Sequence, residues 1–201
     1  VASEVFGVPP DAVTKDMRRQ AKVINFGILF GMGVSALQTN LADPEAGEAG
    51  KISRAQAQKF YNDYFEKFSG LVEYLNSVKA EAYRTGYTET FFGRRRYFEG
   101  IKSKLPFIRA AAERMAINAP IQGTEADIIK LAMVQIDAYL KKEKLLDSVR
   151  ILLQVHDELV YEIKDELVET VAPQIRKIME EIIDPKDVSG IVCTAEASVG
   201  D

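Results

Sequence analysis

Apolar residues recur along most of this chain at the three-to-four spacing of helices buried on one face, and give way in a few places to runs rich in Val, Leu, Thr and Tyr. Residues 11 to 32 run from an acidic start at Asp11 and Asp16, through basic and then aromatic positions, to Gly31 and Gly33, which predicts a helix. The stretch LADPEAGEAGK from Leu41 to Lys51 reads as a surface loop. Ser53 then caps an amphipathic pattern with apolar positions at Phe60, Tyr64, Phe68, Leu71 and Leu75, and a further helix through Tyr83 is closed by Gly86.

TGYTETFFGRRRYF predicts a short strand pair turning at Gly93. From Pro106 to about Lys144 the helical period returns, interrupted at Pro120 and Gly123, which predicts two helices or one bent helix. ILLQV and ELVYEI flank His156 and Asp157 as two strands of a hairpin. A helix from Asp165 to Ile183 and a strand near Ile191 to Val199 follow. The order implies an α+β architecture.

Composition narrows the function classes. The chain has 201 residues, 47% hydrophobic and 28% charged, enough for one large or two small cores. One cysteine, Cys193, leaves no internal disulfide, and no Cys/His cluster has zinc spacing, which favours a reducing intracellular setting. The absence of a long apolar run or a signal-type start predicts a soluble protein without a membrane partner. A net charge of −4 argues against an all-over basic surface, but cations cluster at Arg18, Arg19 and Lys22, at Arg94, Arg95 and Arg96, and at Lys102, Lys104 and Arg109.

Three constellations could carry chemistry. Arg18, Lys22, Phe26 and Phe30 lie four residues apart on one helical face, with about 12 Å of axial rise from Arg18 to Phe26, the length of a nucleoside triphosphate laid along the helix. Cationic groups there would meet phosphates and an aromatic ring the sugar or base, although an amphipathic helix with core phenylalanines has the same spacing. Asp157 and Glu158, beside the lone histidine His156, put carboxylates at a hairpin tip where hard divalent cations could bind, or where solvated turn residues would do equally well. Arg114, Asn118 and Gln122 could hydrogen-bond nucleic acid, or cap and satisfy a helix break.

Taken together, these segments resemble the family A DNA polymerases, the bacterial polymerase I family. RRQAKVINFGILFGMG at Arg18 to Gly33 is similar to the family's motif B through Arg18, Lys22, Asn25, Phe26, Gly27 and Gly31. RMAINAPIQGTEADIIKLAM at Arg114 to Met133 resembles the next block, LLQVHDELVYE at Leu152 to Glu162 resembles motif C, and GYTETFFGRRRY at Gly86 to Tyr97 fits as well. The blocks stand in family order across essentially the whole chain.

The resemblance implies a right-hand polymerase fragment, with residues 1–100 as helical fingers and 101–201 as the carboxy-terminal part of a palm with antiparallel strands. It implies template-directed DNA synthesis in replication or repair, with primer-template DNA and deoxynucleoside triphosphates as partners, a monomeric intact enzyme and a bacterial cytoplasmic, nucleoid-associated setting. Arg18, Lys22, Phe26 and Phe30 would bind the incoming nucleotide, with Lys22 also catalytic as a proton donor to pyrophosphate. Asp157 and Glu158 would be catalytic and hold metal, and Arg114, Asn118, Gln122, Gln154 and His156 would contact DNA. Two Mg2+ ions are implied, with one carboxylate ligand from an upstream segment resembling DYSQIELR, absent here, so this polypeptide alone is expected to be inactive. Phe30 stands where the family usually has tyrosine, and Phe26 in place of tyrosine implies discrimination against sugars lacking the 3′ hydroxyl.

Overall fold

Thr14 starts the first long helix, three residues later than Asp11: its side chain accepts a hydrogen bond from the Met17 amide at 3.2 Å. The computed structural model, which describes residues 1–41 and 52–200, places a single 3-10 turn at Pro10–Ala12 and extended backbone at Val13 before this cap. The adjacent prolines explain the delay, because Pro9 holds φ near −64° in extended backbone and Pro10 can only open a helical turn. Helix α2 then runs Lys15–Leu29.

Two short helices were not legible in the periodicity: α1, Ala2–Phe6, and α3, Val34–Leu41. Each is held by tertiary contacts. Phe6 meets Phe60 edge-on at 5.8 Å, and Leu37 and Leu41 are buried against Ile24, Ile28 and Tyr64. The loop expected from Leu41 to Lys51 lies, from residue 42 onward, outside the described residues.

Ser53 caps α4, Arg54–Lys67, as expected, and does so through a reciprocal box: the Gln56 amide donates to Ser53 Oγ at 3.2 Å and the Ser53 amide to Gln56 Oε1 at 2.9 Å. After a break at Phe68, α5 spans Ser69–Thr85 and stops at Gly86, whose φ of 87° is the left-handed conformation that closes a helix. The predicted strand pair follows as β1, Tyr87–Glu89, and β2, Arg95–Tyr97, antiparallel with Tyr87 opposite Tyr97 and a turn at Gly93.

Of the two alternatives for Pro106 to Lys144, the chain adopts one helix, α6, spanning Pro106–Lys142 with Pro120 inside it. A proline cannot donate to the carbonyl four residues back. That carbonyl, on Ala116, instead accepts from the Thr88 hydroxyl at 3.5 Å, and Thr88 is only 2% exposed. The strand pair therefore supplies the bond that the helix lost, within a core of Ala82, Phe98, Ile101, Ala112, Ala116 and Ala119.

After α6 come β3, Val149–Val155, β4, Glu158–Ile163, α7, Asp165–Glu180, and a 3-10 turn at Pro185–Val188. The β3 and β4 strands form the expected hairpin, with Val155 opposite Glu158 and an irregularity between Ile151 and Leu153. Val149 packs with Ala132, Ile136 and Leu140 of α6 and Val171 and Ile175 of α7. The strand expected near Ile191 to Val199 does not form: the segment has no regular secondary structure and pairs with no strand among the described residues, and Ile191, Val192 and Val199 are 64–72% exposed. Apolar, β-branched composition favours a strand only where a neighbour completes the hydrogen bonds. Here the Ala195 amide donates to Glu180 Oε1 instead, at 3.1 Å.

Packing divides the chain into two compact units: residues 1–89 with 93–121, and 90–92 with 122–201. Among the described residues no helix is long and apolar enough to cross a membrane.

Two outcomes are expected of this packing. Thr88→Val keeps the shape but leaves the Ala116 carbonyl without its donor, and should lower the unfolding free energy in urea by about 1–2 kcal/mol. Burial against the second core pushes the Tyr161 phenol up to about 12 from 10.0. The unfolded phenol then ionises first, so this contribution should be intact below pH 10 and lost as pH rises towards 12. Denaturation across that window should show a shallower decline for Tyr161→Phe.

Candidate functional site

Helix α2 buries Ala21, Ile24, Gly27 and Ile28. At 100° per residue, that stripe leaves Arg18, Lys22 and Phe26 on the open side. Arg18 and Lys22 are exposed, and Phe26 keeps 52% of its surface in solvent despite being a phenylalanine in a well-packed helix. Phe30, at the helix end and half-buried, stacks on Phe26 with ring centroids 6.1 Å apart and planes 19° apart. The row anticipated from spacing therefore exists as one surface.

This surface borders a cleft of about 410 Å³ lined by Arg18, Ala21, Lys22, Asn25 and Phe26 on one side and by Val1, Ala2, Ser3, Pro10 and Val13 on the other. Arg19 is bound to Asp16 at 2.7 Å, so its charge is partly spent locally. Arg18 and Lys22 make no ion pair among the described residues, which leaves both cations available to an anion.

The second group is divided by packing. Arg114 and Asn118 lie in the first unit and Gln122 in the second, all on α6. Arg114 and Gln122 are exposed; Asn118 is half-buried, and its Oδ1 has no hydrogen-bond partner among the described residues. Arg114 also lies over the end of α2: a Cβ built on Gly31 would come within 2.7 Å of Arg114 Cγ, and Gly31 has a φ of 80°. Both the close approach and the left-handed backbone demand glycine there.

In the second unit, β3 and β4 turn through His156 and Asp157, with His156 at a φ of 54°. The Gln154 side-chain amide donates to the His156 carbonyl at 3.2 Å and so braces the turn. His156, Asp157 and Glu158 are all exposed. Neither carboxylate is paired with a cation among the described residues. Two unpaired carboxylates on a pinned hairpin suit a hard divalent cation such as Mg2+. They are an incomplete set, because among the described residues no three His, Cys, Asp or Glu side chains gather as a metal cage.

The family model for DNA polymerase family A matches residues 1–201. The chain belongs to DNA polymerase family A. It is 45% identical over 184 residues to DNA polymerase I of Rhizobium leguminosarum, covering 92% of this chain and 17% of that protein. It is 44% identical over 179 residues to the thermostable DNA polymerase I of Thermus aquaticus, covering 89% and 20%. A solved structure of the POL domain of Pol1 from M. smegmatis, in complex with DNA primer-template and dNTP, superposes with a TM-score of 0.82 at 39% identity, over 91% of this chain and 30% of that one. The α+β polymerase-domain fold expected from the motifs is therefore the fold observed. The chain spans about a fifth of the length of the polymerase I relatives it matches.

Within this family A chain, two contacts at the site were invisible to spacing arguments. One is the Gly31 and Arg114 approach. The other is a hydrogen bond from Tyr64 to Asn25 across 39 residues. The available signals were an asparagine inside a helix, where its side chain competes with the backbone, and a tyrosine on an apolar face, whose hydroxyl needs a partner.

Gly31→Ala should cost about 1–2 kcal/mol for the left-handed backbone alone, with more from the collision. Removing the colliding side chain by Arg114→Ala should return the second part and leave the first, as read from the urea midpoints of the two single variants and the pair.

Proposed function

We propose that this chain forms the nucleotide-binding and part of the catalytic surface of a template-directed DNA polymerase acting in replication or repair. The observation that carries this is the exposed Arg18, Lys22 and Phe26 row along a cleft of about 410 Å³, in a chain of family A. A triphosphate lying along α2 would meet fixed positive charge at Arg18 and Lys22, where negative charge grows as the α-phosphate is attacked. Lys22 would give its proton to the departing pyrophosphate. Phe26 offers an aromatic face to the sugar and base, and its lack of a hydroxyl favours sugars that keep their own 3′ hydroxyl. Phe30 retains the stacking ring without the hydroxyl usual at that position.

Asp157 and Glu158 would hold magnesium at the hairpin tip, with His156 and Gln154 close to the primer end. Bound magnesium supplies Lewis-acid activation of the primer hydroxyl and charge neutralisation at the leaving oxygens. Holding two ions takes more carboxylates than this pair, and the described residues bring no third to the hairpin. A further aspartate from elsewhere in the polymerase is required, so the chain by itself is inert in primer extension. Arg114, Asn118 and Gln122 would follow the minor groove of the newest pairs, where the acceptors common to correct pairs lie. In these terms residues 1–100 serve as fingers and 101–201 as palm, a division by role; the two compact units are a division by packing. The intact enzyme would work as a monomer on primer-template DNA in a bacterial cytoplasm.

The test is magnesium-dependent primer extension after joining the chain to the upstream segment of a related polymerase I. Extension is expected, and Asp157→Ala should reduce it at least a thousandfold while the chain alone shows none. A chimera that binds primed DNA yet adds no nucleotide would instead point to a non-catalytic binding module.

A further inference from the structure

We propose that Tyr64 is a positioning residue for the incoming nucleotide, acting through Asn25. This rests on the assignment of α2 as the nucleotide-binding helix.

Asn25 follows Arg18 by seven residues, which brings it back to within about 20° of the same line along α2, and it lines the same cleft as Arg18, Lys22 and Phe26. Its Oδ1 accepts from the Tyr64 hydroxyl at 2.6 Å. Tyr64 is 3% exposed, with its ring against Phe68 at 4.8 Å and Phe65 at 5.9 Å. The phenol is therefore anchored by the packing of α4 and not by the cleft. Burial raises its pKa, so the hydroxyl stays a donor at neutral pH.

A donor on one side decides which way the amide faces. With Oδ1 taken, the NH2 group is what Asn25 has left, and it has no partner among the described residues. An NH2 group suits a ligand made of acceptors, such as the phosphate and sugar oxygens of a nucleotide. An asparagine side chain turns freely about its last torsion when nothing holds it. Without the Tyr64 hydroxyl, Asn25 would present its carbonyl oxygen to an anion part of the time.

The experiment is equilibrium dialysis of radiolabelled dATP against the 201-residue chain and its variants, with far-ultraviolet circular dichroism as the check on fold. Tyr64→Phe should weaken dATP binding about three- to tenfold, the range of one net hydrogen bond, with an unchanged spectrum. Asn25→Ala should do the same or somewhat more, and the pair together should bind no worse than Asn25→Ala alone. Asn25→Asp keeps an acceptor for Tyr64 but loses the donors and adds negative charge, so it should be the weakest binder of the set while remaining folded. Wild-type binding by Tyr64→Phe or Asn25→Asp, or effects of Tyr64→Phe and Asn25→Ala that multiply, would overturn the proposal. Lys22→Ala separates the two levels. If it weakens binding while Tyr64→Phe does not, the inference alone fails; if it binds normally, or the unaltered chain retains no dATP, the nucleotide assignment of α2 falls and takes the inference with it.

Discussion

Burial of the stripe Ala21, Ile24, Gly27 and Ile28 is the interaction on which the candidate nucleotide face depends. A helix has one circumference, and committing that side to a core compels Arg18, Lys22 and Phe26 to remain outside. The opposing surface comes from Leu37 and Leu41 of α3, the next helix in the chain, and from farther along it Phe60 and Tyr64 of α4 with Phe68 at the break after α4. Met32 folds back at the helix end, close enough that a Cβ on Gly27 would lie 2.9 Å from its sulfur. The exposed side of α2 is thus a consequence of how tightly its other side is held.

The same economy appears where α6 passes through Pro120. The proline deprives Ala116 of a donor, and the buried Thr88 hydroxyl takes its place. A helix defect and a short strand pair thereby satisfy one another, and both contribute to the alanine-rich core that α6 shares with Phe98 and Ile101. Small residues there let backbones approach closely. In the second unit the hairpin is pinned from one side only: Leu159, Tyr161 and Ile163 of β4 pack on the core, while Ile151, Leu152, Leu153 and Val155 of β3 are 43–58% exposed. The described residues leave these β3 side chains open to solvent.

Much of this was legible in the chain itself. The Ser53 cap, the Gly86 stop, the Gly93 turn and the His156 and Asp157 turn are local features, decided by backbone conformations that few residues adopt and by side chains that cap within four positions. The spacing of Arg18, Lys22, Phe26 and Phe30 was equally local, and the helix turned it into one face. Helices α1 and α3 escaped because they are too short to show a period, and the strand near Ile191 was expected because propensity does not reveal whether a neighbour exists. A strand, unlike a helix, cannot satisfy its own backbone.

By itself, then, the sequence determined the longer helices, the two hairpins and the turns, since helical period, capping and turn chemistry act over a few residues, and its ordered motif blocks carried the likeness to the family and to the residues that could face a nucleotide or a metal. Only the tertiary structure decided that Phe26 stands exposed over a cleft while Ile24 beside it is fully buried, that Gly31 makes room for Arg114, and that Tyr64 holds Asn25. Those outcomes depend on which faces of distant helices meet. Burial and hydrogen bonding between segments tens of residues apart are properties of packing, and no local rule carries them.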